Sequence, residues 1–197
     1  MNGEPATRLL VRAIVPALLA VLVCAWSVAA AAQGKAKPAE KGLSYADEDR
    51  DWGIAPTTQL RTEKVRAPTP RQITGGRVVR TVELQKMLTG KERPYLIDVT
   101  AGSHRTLGGA FWLDGAGAGN LNAGEQKRFL KAIASFAAGR KNRALVFLCE
   151  DAQCWLAHNA ARRAIAAGYT NVMWYRGGVA AWRAAGLAMA QADPFAW

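Results

Sequence analysis

Hydrophobic and polar positions in the second half of the chain follow two alternating rhythms. Short apolar runs at Tyr95–Val99 (YLIDV), Ala144–Leu148 (ALVFL) and Asn171–Tyr175 (NVMWY) have the length and make-up of buried strands. Between them the apolar positions take helical spacing. Thr81–Thr89 sets Val82, Leu84, Met87 and Leu88 before a stop at Gly90. Glu125–Phe136 puts Phe129, Leu130, Ile133 and Phe136 on one face. Trp155–Ala167 reads as a helix closed by Gly168, and Val179–Ala185 as one closed by Gly186. Residues 101–120 contain six glycines and read as a long loop, with Ala110–Leu113 (AFWL) as a short strand inside it. Strand and helix alternate, so the expected fold class is α/β: one domain, with right-handed crossovers, a parallel sheet and helices on both of its faces.

The first half follows neither rhythm. Residues 1–12 carry Arg8 and Arg12 against Glu4, Ala13–Ala32 is free of charge, and the run ends in small residues before Gln33. A basic start, an apolar middle and a small-residue exit read as a secretory signal peptide over residues 1–32. Residues 33–73 begin polar and Lys/Pro-rich, then carry an acidic cluster at Asp47–Asp51 and Pro56, Pro68 and Pro70. They are expected to form a flexible, irregular extension in which Trp52, Ile54 and Leu60 pack loosely. The domain proper is expected over 74–190, with a tail at 191–197.

Charge and cysteine count sharpen this picture. Removing residues 1–32 from the 197 leaves 165, takes away Cys24 and lowers the formal charge from +11 to +10. The export signal places the mature chain in an oxidising compartment, the periplasm, where its two remaining cysteines suggest a pair. Three Cys and two His in all exclude a multi-zinc protein, a disulfide-rich scaffold and a multihaem cytochrome. The basic residues are dispersed and accompany no DNA- or RNA-binding motif, so a nucleic-acid partner is not expected, nor is a membrane span after signal cleavage. Steering of a small anion, or an acidic protein partner, remains open.

The chemistry concentrates in one turn. The run Cys149-Glu150-Asp151-Ala152-Gln153-Cys154 lies between the 144–148 strand and the helix beginning at Trp155. In α/β sheets ligands bind at such strand ends, beside helix N-termini. A helix N-terminus presents unpaired N–H groups and partial positive charge, which favour an anion and lower a thiol's pKa.

Several features together resemble a rhodanese-like (sulfurtransferase) domain. They are the strand–Cys–loop–helix arrangement, the run from Gly168 to Leu187 (GYTNVMWYRGGVAAWRAAGL) and the Tyr95–Val99 strand with Asp98. The resemblance covers roughly residues 74–190. It implies that Cys149 carries sulfane sulfur as a persulfide, with residues 150–154 as a cradle of backbone N–H groups. The ending Cys149…Cys154-Trp155, with Asn159 and Ala110–Leu113, is similar to an exported rhodanese-like group associated with pyrroloquinoline-quinone-dependent alcohol catabolism and its Cys…Cys-Trp motif. That likeness implies an accessory role beside a periplasmic quinoprotein or cytochrome. Cys154 occupies the last cradle position, where active rhodaneses often have Arg, and Thr100 occupies the place of another Arg. Glu150 and Asp151 add negative charge that should repel thiosulfate. The resemblance implies Cys149 and Cys154 as the reacting pair. Glu150, Asp151, Ala152, Gln153 and Trp155 would form the binding loop, Asp98 would have a supporting role, and no cofactor is implied.

The residues themselves leave other readings open. The cysteines can form a disulfide that only pins the loop, or bind copper or zinc with His158, four residues beyond Cys154. His158 is otherwise expected at the surface, and His104 is expected to be solvated in the Gly-rich loop. Asp98 is a turn-maker or the anchor of a salt bridge orienting the active loop. Trp155, Trp174 and Trp182 are expected in the core, and Trp112 is the aromatic expected to line a pocket or partner surface.

Overall fold

The computed structural model describes residues 43–197. The expected signal peptide over 1–32 and the first part of the extension lie outside the described residues. The sheet has five parallel strands in the order β1-β6-β5-β2-β4. Along the chain these are β1 (Arg77–Val78), β2 (Tyr95–Asp98), β4 (Phe111–Trp112), β5 (Leu145–Leu148) and β6 (Val172–Tyr175). Helices α1 (Thr81–Thr89), α2 (Ala123–Phe136), α3 (Trp155–Ala166) and α4 (Gly178–Ala184) connect them.

Side-chain alternation along β5 divides the core in two. Leu145, Phe147 and then Cys149 pack with α2 and α3 through Phe129, Ile133, Ala157 and Ala161. Val146 and Leu148 pack with α1 and α4 through Leu84, Val179 and Trp182. Every residue of β5 is buried, which is why its sequence is a continuous apolar run. Helix α2 starts two residues earlier than its apolar pattern suggested. Asn122 accepts from the Glu125 N–H at 2.9 Å, and the Glu125 carboxylate takes the Asn122 N–H at 2.8 Å, a capping box.

A second, two-stranded antiparallel sheet joins β3 (Arg105–Leu107) to β7 (Met189–Gln191). It lies partly inside the expected long loop. The chain then runs along the domain: the Ala192 N–H donates to His104 O at 3.1 Å and the Phe195 N–H to Trp112 O at 2.7 Å. Phe195 packs on Phe111 and Phe136.

Residues 43–73 contain no helix and no strand, in keeping with an irregular extension. Their packing, however, is not loose, and it does not depend on Ile54, which is 38% exposed. It is organised by Arg176, only 1% exposed. Its guanidinium donates to the carbonyls of Asp47 (3.2 Å), Glu48 (2.8 Å), Arg50 (2.9 Å) and Thr69 (3.1 Å), and to Thr69 Oγ1 (3.0 Å). One buried cation thus gathers two stretches of chain whose carbonyls would otherwise need water. Glu48, also buried, accepts from the N–H and Oγ1 of Thr81 at 2.8 and 2.7 Å and so fixes the start of α1. Among the described residues no helix is long and apolar enough to cross a membrane.

Candidate functional site

The site is built where β5 ends. Cys149 follows the last strand residue, and Cys154 is the residue capping the N-terminus of α3. The two are joined by a disulfide with a Cα–Cα distance of 6.2 Å, within the usual range for such bonds. Both cysteines are 2% exposed.

The loop is held from two sides. From α4, the Val179 N–H donates to Cys149 O at 3.0 Å and the Ala180 N–H to Glu150 O at 2.8 Å. Gly178 makes this approach possible: its φ is +58°, and a Cβ there would fall on the Cys149 carbonyl. From the extension, the Ala67 N–H donates to Gln153 O at 2.8 Å and Thr69 Oγ1 to Ala152 O at 2.5 Å. The loop also folds on itself. Asp151 accepts the Gln153 N–H on its carboxylate at 2.8 Å and the Cys154 N–H on its carbonyl at 3.1 Å.

These bonds change what the cradle offers. The N–H groups of Gln153 and Cys154 are engaged within the loop, and that of Trp155, at the head of α3, donates to Val65 O at 2.9 Å. The loop's acidic charge is answered as well. Asp151 pairs with Arg66 at 2.7 Å and Glu150 with Arg183 at 3.5 Å, both partly exposed pairs of small energetic weight. Ala152 is buried and Gln153 exposed. Trp155 is buried, with its indole N–H on Pro68 O at 3.1 Å.

Asp98, completely buried, ends β2 level with Leu148 of β5. One carboxylate oxygen takes the Thr100 N–H at 2.8 Å, which makes the turn. The other takes the Thr106 hydroxyl and meets His104 Nε2 at 2.8 Å. Its ion pair is therefore with His104, and none of its hydrogen bonds reaches loop 149–154. His104 is not a solvated loop residue. Its other ring nitrogen faces Gly102 O at 2.8 Å, and its ring packs edge-on against Trp112 at 5.0 Å. Both neighbours are acceptors, which only the doubly protonated ring satisfies. Its pKa is raised, chiefly by the Asp98 hydrogen bond. Trp112 lines no open surface: it is buried, and its indole N–H donates to Thr100 O at 2.7 Å.

His158 departs furthest from the sequence expectation. It is 0% exposed, edge-on between Trp155 (4.9 Å) and Trp174 (5.2 Å), and neither ring nitrogen has a hydrogen-bond partner. Burial, helped by Arg162, pushes its pKa down to about 4, so the ring is neutral at pH 7. A metal set of Cys149, Cys154 and His158 is not assembled, because the two sulfurs are bonded to each other. Among the described residues no group of three or more Cys, His, Asp or Glu is placed to hold an ion.

Beside the loop lies an open cavity of about 370 Å³, lined by His104, Arg105, Glu150, Val179, Arg183 and Met189. Glu150 is the only loop residue in its wall, and neither cysteine contributes to it.

A family model for the rhodanese-like domain matches residues 81–185, more than half of the chain. The chain belongs to the rhodanese-like domain family. The match runs from the start of α1 to the end of α4, so four of the five parallel strands and the cysteine loop fall within it. In this rhodanese-like domain the cysteine loop lies between β5 and α3, and the segment that covers it, 61–69, precedes the matched region. No curated protein matches the chain.

Proposed function

We propose that this rhodanese-like domain carries sulfur on Cys149 and that Cys154 resolves it. The observation that supports the reading is the disulfide itself, which joins the first and last residues of the loop at the strand end and the helix N-terminus. In the reduced protein the positive end of α3 favours a thiolate at this position. The Cys149 thiolate attacks the outer sulfur of a thiosulfate-type anion or a thiol persulfide, the donor's S–S bond breaks, and sulfite or the thiolate leaves. The Cys154 thiolate then attacks Cys149 Sγ, the Cys149–Cys154 bond forms, and the outer sulfur leaves as hydrosulfide. The disulfide is the product of that step, and a dithiol reductant returns it to the starting state.

In the same proposal the chain is exported to the periplasm. The basic, apolar and small-residue blocks of residues 1–32 support this. The Cys149…Cys154-Trp155 ending supports an accessory role in pyrroloquinoline-quinone-dependent alcohol catabolism, beside a quinoprotein or cytochrome.

The burial of both cysteines favours a second reading, in which the disulfide only pins the loop of a non-catalytic module. Cys154→Ser separates the two. Under the first reading, the variant treated with a sulfur donor accumulates a persulfide on Cys149 and releases no sulfide. Under the second, it loses stability and gains no sulfur. Loss of stability without sulfur uptake would overturn the first.

A further inference from the structure

The Cys154 end of the cysteine loop is covered by the chain's own extension. Residues 61–69 lie across the loop and the first turn of α3. The Trp155 N–H donates to Val65 O at 2.9 Å and the Ala67 N–H to Gln153 O at 2.8 Å, so Arg66 and Cys154 face each other as an antiparallel bridge. Upstream, the Arg61 N–H donates to Asn159 Oδ1 at 2.9 Å, and Asn159 Nδ2 returns a bond to Arg61 O at 2.8 Å. The Arg61 guanidinium covers the Trp155 ring at 4.9 Å. Downstream, Pro68 O takes the Trp155 indole N–H and Thr69 Oγ1 bonds to Ala152 O. The segment fits closely: a Cβ on Gly119 would fall on the Arg61 carbonyl and against Thr62 Cα. Lys64 is held at φ +46°, a conformation that persists where flanking contacts fix it.

We propose that residues 61–69 form a strap that gates the redox state of the Cys149–Cys154 pair. Thiol–disulfide exchange needs a thiolate to approach a sulfur along the bond, and at 2% exposure each cysteine denies that approach. The strap is irregular, lies outside the sheet, and is attached by a handful of hydrogen bonds. It opens at lower cost than the sheet. With the strap lifted, one sulfur of a dithiol reductant attacks Cys154 Sγ and expels Cys149 as a thiolate. The reductant's second thiol then closes on its first. The pair is left as two thiols, and the reductant is oxidised by two electrons and two protons. Lifting also frees the Trp155 N–H, one of the donors at the head of α3, so access to the sulfurs and exposure of an anion-favouring donor occur together. The gate acts on the pair whether or not Cys149 carries sulfane sulfur.

The test is the reduction rate of the oxidised full-length chain in excess dithiothreitol. Free thiols are trapped with iodoacetamide at intervals, and the Cys149 and Cys154 peptides are read by mass spectrometry across a series of sub-denaturing urea concentrations. The expected wild-type rate is slow and rises with urea along a slope that is a small fraction of the global unfolding slope. Ala67→Pro removes the N–H bonded to Gln153, and Gly119→Ala places a methyl group where Arg61 lies. Each raises the rate about tenfold, as weakening the closed state's contacts requires, and lowers the global folding equilibrium by no more than that same factor. Rates unchanged in both variants would overturn the gate. So would a wild-type rate that climbs with the full global slope. Should either variant fail to fold, the wild-type slope still decides.

Discussion

His104 and His158 lie within the same domain near the cysteine loop and have opposite fates. His104 lines the open cavity with an acceptor at each ring nitrogen, and its pKa is raised. His158 lies on α3 between two tryptophans with no partner at either nitrogen, and its pKa falls to about 4. The residue type is the same, and only the surroundings differ. Where acceptors converge, the charged form is favoured; where apolar rings close in, the neutral form is. The contrast extends to the regions around them. The His104 side is an open basin with charged walls, and the His158 side is a closed core between α3 and the sheet.

Removing a wall of the sealed side should have the largest effect. Trp174→Ala is expected to cost about 3–5 kcal/mol by urea denaturation, because a large buried ring leaves a void. In whatever folded protein remains, the pKa of His158 should return toward 6.5, measured by NMR titration.

Next in size is a pH effect of opposite sign at the two rings. The pKa of folded His158, about 4, lies below its ordinary value of 6.5, so the unfolded chain binds the proton first as pH falls. Its contribution is complete above about pH 6.5 and falls by about 3 kcal/mol between there and pH 4. His158→Leu should flatten that slope at little cost near neutrality, since it leaves no hydrogen-bond partner stranded. The pKa of His104 is raised, so its contribution is present below pH 6.5 and is lost as pH climbs through the folded value. Asp98→Asn should erase that loss, lower the His104 pKa, and cost about 2 kcal/mol through the charged hydrogen bonds it weakens.

The smallest effect concerns the strap's one ion pair. Arg66→Ala should change stability by less than about 1 kcal/mol, and the difference should vanish in high salt, because the Arg66–Asp151 pair is partly exposed. A larger effect would mean that the sealed side depends on charge rather than on backbone pairing.

Much of the fold was legible because the periodic runs are strong and local. Leu145–Leu148 is apolar throughout because both faces of β5 are covered, and the α2 stripe marks its buried face. The placement of Cys149 between β5 and α3 followed from the same pattern. What escaped depends on partners distant in sequence. Arg105–Leu107 is a strand only because Met189–Gln191 pairs with it, and neither carries a period. His158 looked like a surface residue because a single helical histidine beside Arg162 gives no sign of what it faces; it packs against Trp174 of β6, sixteen residues further on. Asp98 and His104 are six residues apart in a glycine-rich stretch, and nothing in that spacing shows that the chain turns His104 back onto the carboxylate. The buried Arg176 gave no signal at all, since its partners are backbone carbonyls, which every residue has.

The central claim, that Cys149 carries sulfur, is tested most directly by intact mass. The protein is reduced, freed of reductant, treated with thiosulfate, and weighed beside Cys149→Ser and Cys154→Ser. The account predicts a gain of about 32 Da, one sulfur atom, in Cys154→Ser, none in Cys149→Ser, and released sulfide with a re-formed disulfide in the wild type. No sulfur on any of the three, with the wild type merely losing about 2 Da as its cysteines pair in air, would contradict it.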